Sequence, residues 1–131
     1  MTVATLATRL IQTFEGIRLI AYWDRTGHVW TIGYGHTKDV TGSMIITQAQ
    51  ADAFLIEDCA PLLLMVAGRP TLEAAALVSF GFNCGAGALA NVLSGRIVLE
   101  NYGLTSHGVR LPGLVARRAL EAALIAVSKE K

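Results

Sequence analysis

Two acidic side chains near the amino terminus are spaced in a way that allows acid–base chemistry. The stretch FEGIRLIAYWDRTGHVWTIGYGHT, residues 14–37, has Glu15 at the end of a helical pattern and Asp24 beside a turn. A short helix exit followed by one strand can bring both carboxylates to face one cleft. Two carboxyl groups in unlike surroundings are the minimum for glycoside hydrolysis. Acidic residues near helix ends and Asp in hairpin turns also occur for structural reasons, so spacing alone leaves that interpretation open.

A helix and a β-hairpin must position these carboxylates. Residues 3–15 carry apolar side chains at helical spacing, with Thr2 as a candidate N-cap and Gly16 as a helix stop. The runs RLIAYW and HVWTIGYG that follow are β-prone and flank the Gly-containing turn DRTG. Two such runs around a turn predict a hairpin.

The rest of the chain predicts only helices. Thr47-x-x-Gln50 is a capping box that opens a helix running to about Ala60, where Pro61 kinks or restarts it. The later boundaries are Thr71 as the N-cap of a helix, a helical segment over roughly 89–101, a loop at 103–108, and Leu111-Pro112 at the start of the last helix. A helix, a hairpin and then only helices predict an α+β fold with a small sheet at one end.

Composition fits one compact domain. Of the 131 residues, 53% are hydrophobic and 16% are charged, which is too apolar for disorder. No apolar run reaches the roughly 18 residues of a membrane span. The net charge of +1 is too small to argue for nucleic acid. Residues 61–131 hold seven Lys/Arg against four Asp/Glu, which suits an acidic polymer but also fits ordinary solvated charge.

The two cysteines carry little functional signal. Cys59 and Cys84 are separated by 24 residues, which is not a metal-ligand spacing. The amino terminus lacks the pattern of a signal peptide, so we expect no export into an oxidising compartment. Both cysteines are therefore expected to be reduced, buried thiols.

The opening stretch resembles the active-site signature of a known enzyme family. FEGIRLIAYWD followed by WTIGYGHT is similar to the signature of the phage-type lysozymes, the endolysin muramidases of glycoside hydrolase family 24. ALVSFGFNCGAGAL at 76–89 resembles the family's helix ending in F-N-x-G-x-G, and LPGLVARRALE at 111–121 resembles its C-terminal helix. The resemblance implies a single lysozyme-like domain over 1–131: an N-terminal lobe of about 1–60 with the hairpin, a helical C-terminal lobe of about 61–131, and an active-site cleft between them.

The resemblance also implies catalytic roles. Glu15 becomes the general acid, Asp24 the base or electrostatic stabiliser, and Thr31 the residue that positions the water. The implied reaction is inverting hydrolysis of the β-1,4 bond between N-acetylmuramic acid and N-acetylglucosamine, with no metal or organic cofactor. The family usually has five residues between the Asp and the Thr, whereas six lie here. Strict spacing would put Trp30 in place of the Thr, and we expect the extra residue to lie in the hairpin turn instead.

Other side chains are candidates for substrate contact or for orienting the site. The substrate-binding candidates are Tyr22, Trp30, Tyr34 and Asn83. Strand alternation predicts Trp30 and Tyr34 on one face of the strand, with Thr31 and Gly33 on the other. The structural or orienting candidates are His36, Gly33, Gly35, Arg117 and Arg118. The alternatives are a helix-capping role for Asn83 and a solvated basic face for the two arginines. The family implies a buried acidic partner for His36, which the sequence does not identify.

Peptidoglycan is the substrate that the resemblance implies. One alternative is a catalytically weak or inactive peptidoglycan-binding module, because the region between Gly87 and Leu111 is shorter than in typical family members. Another is hydrolysis of a different β-1,4 amino-sugar polymer such as chitin. We expect a monomer that binds no nucleic acid and does not insert stably into a membrane. It would accumulate in the host cytoplasm without a signal peptide and reach the wall through a holin-type pore.

Overall fold

The computed structural model describes residues 1–130, which form five α-helices and two small antiparallel sheets. In chain order the elements are α1 (Val3–Phe14), β1 (Arg18–Asp24), β2 (Val29–Gly33), α2 (Gln48–Met65), α3 (Thr71–Cys84), α4 (Ala86–Leu93), a 3₁₀ turn (Leu99–Asn101), β3 (Thr105–Ser106), β4 (Val109–Arg110) and α5 (Pro112–Ser128). The predicted α+β, mostly helical fold is confirmed.

The chain divides into two compact units. The hairpin unit is Glu15–Ala60, and the helical unit combines Met1–Phe14 with the chain from Pro61 onward. The N-terminal lobe of about 1–60 that the family resemblance implies includes α1 together with the hairpin. In the structure α1 packs against α3 and so belongs to the helical unit.

The hairpin unit is built on the antiparallel pair β1 and β2. A third segment follows the other edge of β1, where Ala21 N–H donates to the Met44 carbonyl at 2.9 Å and Ile46 N–H donates to the Leu19 carbonyl at 2.9 Å. These bonds satisfy backbone groups that a two-stranded ribbon would leave open. An isolated hairpin is marginally stable, so the added segment helps to fix the strands.

The predicted capping box at the start of α2 is confirmed. Thr47 N–H donates to Gln50 Oε1 at 2.8 Å, and Gln50 N–H donates to Thr47 Oγ1 at 3.1 Å. Two backbone donors of the first turn are thus satisfied reciprocally.

The helical unit is organised around α3, which packs against α1, α4 and α5. Nine successive residues of α3, from Glu73 to Gly81, are buried, so the helix is covered on every side. Small residues allow this approach. A Cβ added at Gly81 would lie only 2.9 Å from the side chains of Leu62 and Leu89. Close packing at this density leaves no room for a larger residue.

The predicted end of α2 near Ala60 is wrong, because the helix continues through Pro61 to Met65. Proline removes one backbone hydrogen bond from a helix interior. The buried side chains of Cys59, Leu62 and Val66 follow one another at helical spacing across it. Burial of this stripe offsets the lost bond.

Three further boundary predictions are also wrong. Thr71 is the first residue of α3 rather than its cap, because the Pro70 carbonyl accepts the first helical hydrogen bond, from Ala74 N–H at 2.8 Å. The helix predicted over 89–101 is replaced by α4, a turn after Leu93 and the 3₁₀ turn. The predicted loop at 103–108 contains β3, which forms a short hairpin with β4 just beyond the loop.

Both cysteines are free thiols, as predicted. Cys59 is fully buried, and burial, with a smaller contribution from the nearby Asp58 carboxylate, raises its pKa to about 11. Cys84 is only half-buried, which differs from the prediction of two buried thiols.

Across residues 1–130, no helix is both long enough and apolar enough to cross a membrane.

Candidate active site

Glu15 lies in the short connection between α1 and β1. It directly follows Phe14, the last residue of α1, and its side chain is half-buried. Gly16 comes next and is exposed, with open space where a side chain would project. The helix ends just before Glu15 and this glycine, since Gly weakens a helix interior. Glu15 therefore leaves the helical pattern where the chain turns into the hairpin, as the sequence predicted.

Asp24 and Thr31 share one face of the hairpin. Asp24 is paired with Val29, and Tyr22 is paired with Thr31. Directly paired residues of an antiparallel ladder lie on the same face, as do residues two apart along a strand. Asp24 and Thr31 are therefore diagonal neighbours, at a separation typical of about 7–8 Å. This places a carboxylate and a hydroxyl side by side on one surface.

The Asp24 carboxylate is oriented by the hairpin turn. Thr26 N–H donates to Asp24 Oδ1 at 2.9 Å, which is the pattern of an Asx-turn. Gly27 passes close to the other oxygen, since a Cβ there would lie 3.2 Å from Asp24 Oδ2. The hydrogen bond of the turn therefore occupies only one of the two carboxylate oxygens. Oδ1 serves the turn, and the absence of a side chain at Gly27 leaves space beside Oδ2.

The Thr31 hydroxyl has a fixed direction. Thr31 is 3% exposed, and its Oγ1 donates to the Val29 carbonyl at 3.2 Å. A hydroxyl that donates its proton to a carbonyl keeps its lone pairs for accepting a hydrogen bond. Thr31 is thus an oriented acceptor on the same face as Asp24.

Trp30 lies on the opposite face of the hairpin. It is paired with Trp23, and the two rings meet edge to face with centroids 5.5 Å apart. Its ring also packs on Gly42, where an added Cβ would lie 2.7 Å from Trp30 Cζ2. The register therefore gives the position beside Asp24 to Thr31 and not to Trp30. It also separates Trp30 from the Asp24–Thr31 face, which argues against a substrate contact by Trp30 on that face.

The other two aromatic candidates differ in exposure. Tyr22 is half-buried on the Asp24–Thr31 face, with the Arg18 guanidinium 4.6 Å from its ring centroid. Tyr34 is 9% exposed, and its hydroxyl accepts a hydrogen bond from Gln48 Nε2 at 3.0 Å. The strand alternation used to predict a shared face for Trp30 and Tyr34 does not extend to Tyr34, because β2 ends at Gly33.

Gly33 and Gly35 have structural roles that their backbone angles explain. Their φ values are 66° and 96°, in the left-handed region that favours glycine. The turn they form lets Ile32 and His36 exchange both backbone hydrogen bonds, at 2.9 and 2.8 Å. The chain between them is thereby folded back on itself.

His36 is a buried partner of Asp58. Its Nδ1 lies 2.9 Å and 3.0 Å from the two carboxylate oxygens of Asp58, and its ring stacks on Phe54 with centroids 4.1 Å apart. His36 is 4% exposed. The predicted structural role is thus accompanied by the acidic partner that the sequence left unassigned. Asp58 sits 22 positions later on another element, so no local pattern identifies it.

Arg117 and Arg118 converge on a third residue of α5, Glu121. Arg118 Nε lies 2.7 Å from Glu121 Oε1 as an ion pair, and Arg117 Nε lies 3.4 Å from Glu121 Oε2. Ser79 of α3 donates to the same Oε2 at 2.6 Å. All four side chains are buried, so the alternative of a solvated basic face is wrong. The i+3 and i+4 spacing of Glu121 from the arginines was a usable signal that the sequence analysis missed.

The surroundings of the Glu121 carboxyl act on its pKa in opposite directions. Burial raises its pKa, whereas the Ser79 hydroxyl and the guanidinium groups of Arg118 and Arg117 lower it. Charges in such surroundings persist only when they are paired and hydrogen-bonded. The cluster thus connects α3 to α5 through polar contacts within the helical unit.

Asn83 lies near the end of α3 and is exposed. Its Oδ1 accepts a hydrogen bond from Arg118 Nη2 at 2.8 Å. Asn83 lines an open cavity of about 380 Å³ together with residues of the β3–β4 region and the start of α5.

Within residues 1–130, no group of three or more His, Cys, Asp and Glu side chains is arranged to hold a metal ion.

A helical α+β fold with a carboxylate at a helix exit and a carboxylate–hydroxyl pair on the following hairpin defines a protein of the lysozyme-fold class. The muramidase domain of SpmX from Asticaccaulis excentricus superposes with a TM-score of 0.75 at 31% identity, covering 91% of this chain and 93% of that domain. The endolysin of Acyrthosiphon pisum secondary endosymbiont phage 1 is 36% identical over 134 residues, covering 88% of this chain and 91% of the relative. The endolysin of Bacillus phage PZA is 34% identical over 143 residues. That protein is longer than this chain, and the match covers 95% of this chain and 55% of the relative.

The phage lysozyme family model matches residues 12–121, a range that includes every predicted site residue. The chain therefore belongs to the phage lysozyme family. By class it is a lysozyme, an enzyme that hydrolyses peptidoglycan.

Proposed function

We propose that the chain hydrolyses the β-1,4 bond between N-acetylmuramic acid and N-acetylglucosamine with inversion at the anomeric carbon. Glu15 is the general acid, and Asp24 and Thr31 act on the attacking water. The observation that carries this proposal is the shared face of Asp24 and Thr31 on the hairpin that follows Glu15 directly. All three residues lie in the hairpin unit.

The first half of the proposed mechanism is the positioning and activation of the attacking water. Thr31 Oγ1 gives its proton to the Val29 carbonyl, so it can accept a hydrogen bond from a water. The second proton of that water is directed to Asp24 Oδ2, the oxygen that does not accept from Thr26 N–H. A lone pair of the water then faces the anomeric carbon. As the C–O bond forms, Asp24 takes the proton or stabilises the developing positive charge.

The second half of the proposed mechanism is protonation of the leaving group. Glu15 gives its proton to the glycosidic oxygen, so the departing sugar leaves as a neutral alcohol. An inverting pair requires carboxyl groups about 6.5–9.5 Å apart, enough for a water and the sugar between them. No step in this scheme requires a metal or an organic cofactor.

The delivery of the enzyme to the wall is part of the proposal. Phage endolysins act on the cell wall after release, and the endolysin relatives support the same for this chain. We propose that it accumulates in the host cytoplasm and passes through a holin-type pore, that it is a monomer, and that neither nucleic acid nor a membrane is its partner.

The test is release of reducing ends from purified Gram-negative peptidoglycan. Removing a general acid costs about 10²–10⁴-fold in rate, so Glu15→Gln should lose nearly all release. Glu57→Gln is a matched control, since Glu57 is an exposed glutamate of the same unit. The anomer formed in the first turnover, followed by NMR, should be α.

Three results would contradict the proposal in different ways. A β-anomer would exclude inversion and leave hydrolysis intact. Wall binding by the parent without release of reducing ends would favour the alternative of a binding module that has lost turnover. Release from chitin but not from peptidoglycan would reassign the substrate.

A further inference from the structure

Arg18 places a positive charge next to the hairpin face that carries Asp24 and Thr31. It is exposed at the start of β1 and is paired with Gly33, two residues beyond Thr31 on β2. The register shifts between Arg18 and Tyr22, so the position of its side chain follows from a contact rather than from strand alternation. Its guanidinium lies over the Tyr22 ring, 4.6 Å from the centroid, and Tyr22 is paired with Thr31. The Tyr22–Thr31 pair thus lies between this guanidinium and the Asp24 carboxylate beside the turn.

The hydrogen-bond donors of this guanidinium are available to a ligand. Within residues 1–130 the Arg18 side chain forms no hydrogen bond or ion pair, and its contact is with the ring of Tyr22. Packing over a ring satisfies none of the five N–H donors, which lie in the plane of the group. The ring also restricts the side chain, and a donor that is oriented before binding loses less entropy when the ligand arrives. Arg18 is thus a partly ordered fork of donors rather than a freely moving surface charge.

The sugar that the proposed mechanism places here carries a group that matches this fork. The water between Asp24 and Thr31 attacks the anomeric carbon of N-acetylmuramic acid. Two bonds away on the same ring, C3 bears a lactyl ether that ends in a carboxyl group, to which the stem peptide of peptidoglycan is attached. The Arg18–Gly33 pair lies roughly 7 Å along β2 from Thr31, so a carboxylate on this side of the sugar is within reach. Arginine binds carboxylates through two parallel hydrogen bonds, which favours this partner over a neutral hydroxyl.

We infer that Arg18 determines specificity by binding a carboxylate on the lactyl side chain of the N-acetylmuramic acid under attack. The carboxylate is that of the lactyl group itself in strands without peptide, or one of the stem peptide in strands that carry it, and both share the same chemistry. Chitin has neither, so this contact distinguishes peptidoglycan from other β-1,4 amino-sugar polymers. The inference rests on the proposed function for the placement of the sugar, and all of its residues belong to the hairpin unit.

Arg18→Gln removes both the charge and the fork and is the main test variant. Lys38→Gln is the matched control, because Lys38 is an exposed cation of the same unit outside β1 and β2 and loses the same charge. Arg18→Lys keeps the charge but replaces the planar fork by one ammonium group, so its affinity should fall between those of the parent and Arg18→Gln. Because both positions are exposed, loss of folding is not expected in any of the three variants.

Binding of glycan strands is measured by calorimetry in the Glu15→Gln background, so that the strands stay intact. Each strand is used in two forms, with free carboxylates and with those groups converted to neutral methyl amides. We expect Arg18→Gln to weaken binding of the charged form about 10-fold and to leave the neutral form unchanged, and Lys38→Gln to change neither. The loss should shrink at about 1 M salt, where the Debye length falls to about 3 Å. Strands with and without stem peptides identify which carboxylate is bound.

Equal losses on the charged and neutral forms would mean that Arg18 has a structural role, and would overturn the inference. Equal affinities of Arg18→Gln and Lys38→Gln for the charged form would overturn it too, as would failure of the charged form to bind the Glu15→Gln protein. Reducing-end release by the parent chain is measured in parallel. Release without a charge-dependent effect of Arg18→Gln refutes the role of Arg18 alone. A charge-dependent effect without release refutes the proposed catalysis alone.

Discussion

At the scale of single residues, the two oxygens of the Asp24 carboxylate have different surroundings. Oδ1 accepts from Thr26 N–H at 2.9 Å and fixes the turn. Oδ2 lies beside Gly27, with only 3.2 Å to a hypothetical Cβ at that position. Asp24 thus fixes the turn through Oδ1, and Oδ2 is the oxygen to which the proposed mechanism directs the water.

This division makes Gly27→Ala a specific test. The added methyl group must displace Oδ2 or the Val29 side chain, which also lies 3.3 Å away. Small displacements of a reacting group cost large factors in rate, so we expect kcat to fall about 10-fold. The free energy of unfolding should change by less than about 1 kcal/mol, because Gly27 is exposed and its φ is not in the left-handed region.

Gly113→Ala is the control for that experiment. Gly113 lies in the first turn of α5 with open space around its Cβ position, so the same substitution introduces no close contact. Its kcat should equal that of the parent. Full activity of Gly27→Ala would mean that Asp24 Oδ2 does not meet the water.

The relative positions of candidate residues could be predicted only where the signal lies in the stretch that contains the hairpin. Glu15, Asp24 and Thr31 fall in one stretch of 17 residues, and the register of β1 and β2 puts the last two on one face. The partner of His36 could not be predicted, because Asp58 reaches it from α2. Long-range pairs of this kind depend on how elements pack, which local patterns do not encode.

At the scale of elements, the sequence predicted the start of α2, where side chains and backbone form reciprocal hydrogen bonds. It did not predict the end of α2 or the first residue of α3. The capping box Thr47–Gln50 forms with both bonds. Pro61 does not end α2, and Thr71 does not cap α3. At Pro61 local propensity was overridden by burial of the apolar stripe that continues through it. At Thr71 the prediction was one residue late, because the Pro70 carbonyl already accepts the first helical hydrogen bond.

The capping box should contribute measurably to stability. Thr47→Ala removes the acceptor for Gln50 N–H at 3.1 Å, which should lower the free energy of unfolding by about 1 kcal/mol. Thr41→Ala is the control, because the Thr41 hydroxyl is exposed and lies 3.5 Å from that of Ser43; its change should stay within about 0.5 kcal/mol. Equal urea midpoints for the two variants would show that the box is not a stabilising contact.

At the scale of the whole molecule, the charge balance differs from what the residue counts imply. The excess of basic residues in 61–131 suits an acidic polymer but also fits ordinary solvated charge, and both interpretations place that charge at the surface. Arg117 and Arg118 are buried, at 2% and 0% exposure, and face Glu121. This part of the positive charge stabilises the interior of the helical unit and does not reach the surface, so the counts overstate the basic character that a partner meets.

Glu121 is the charge on which this arrangement depends. Glu121→Gln leaves two buried guanidinium groups without their carboxylate, and breaking a buried ion pair from one side costs about 3–5 kcal/mol. Glu100→Gln alters an exposed glutamate of the same unit and should change the free energy of unfolding by less than about 0.5 kcal/mol. Urea unfolding followed by circular dichroism measures both. A loss below about 1 kcal/mol in Glu121→Gln would mean that the arginines find other acceptors, and that Arg118 is not held by this contact.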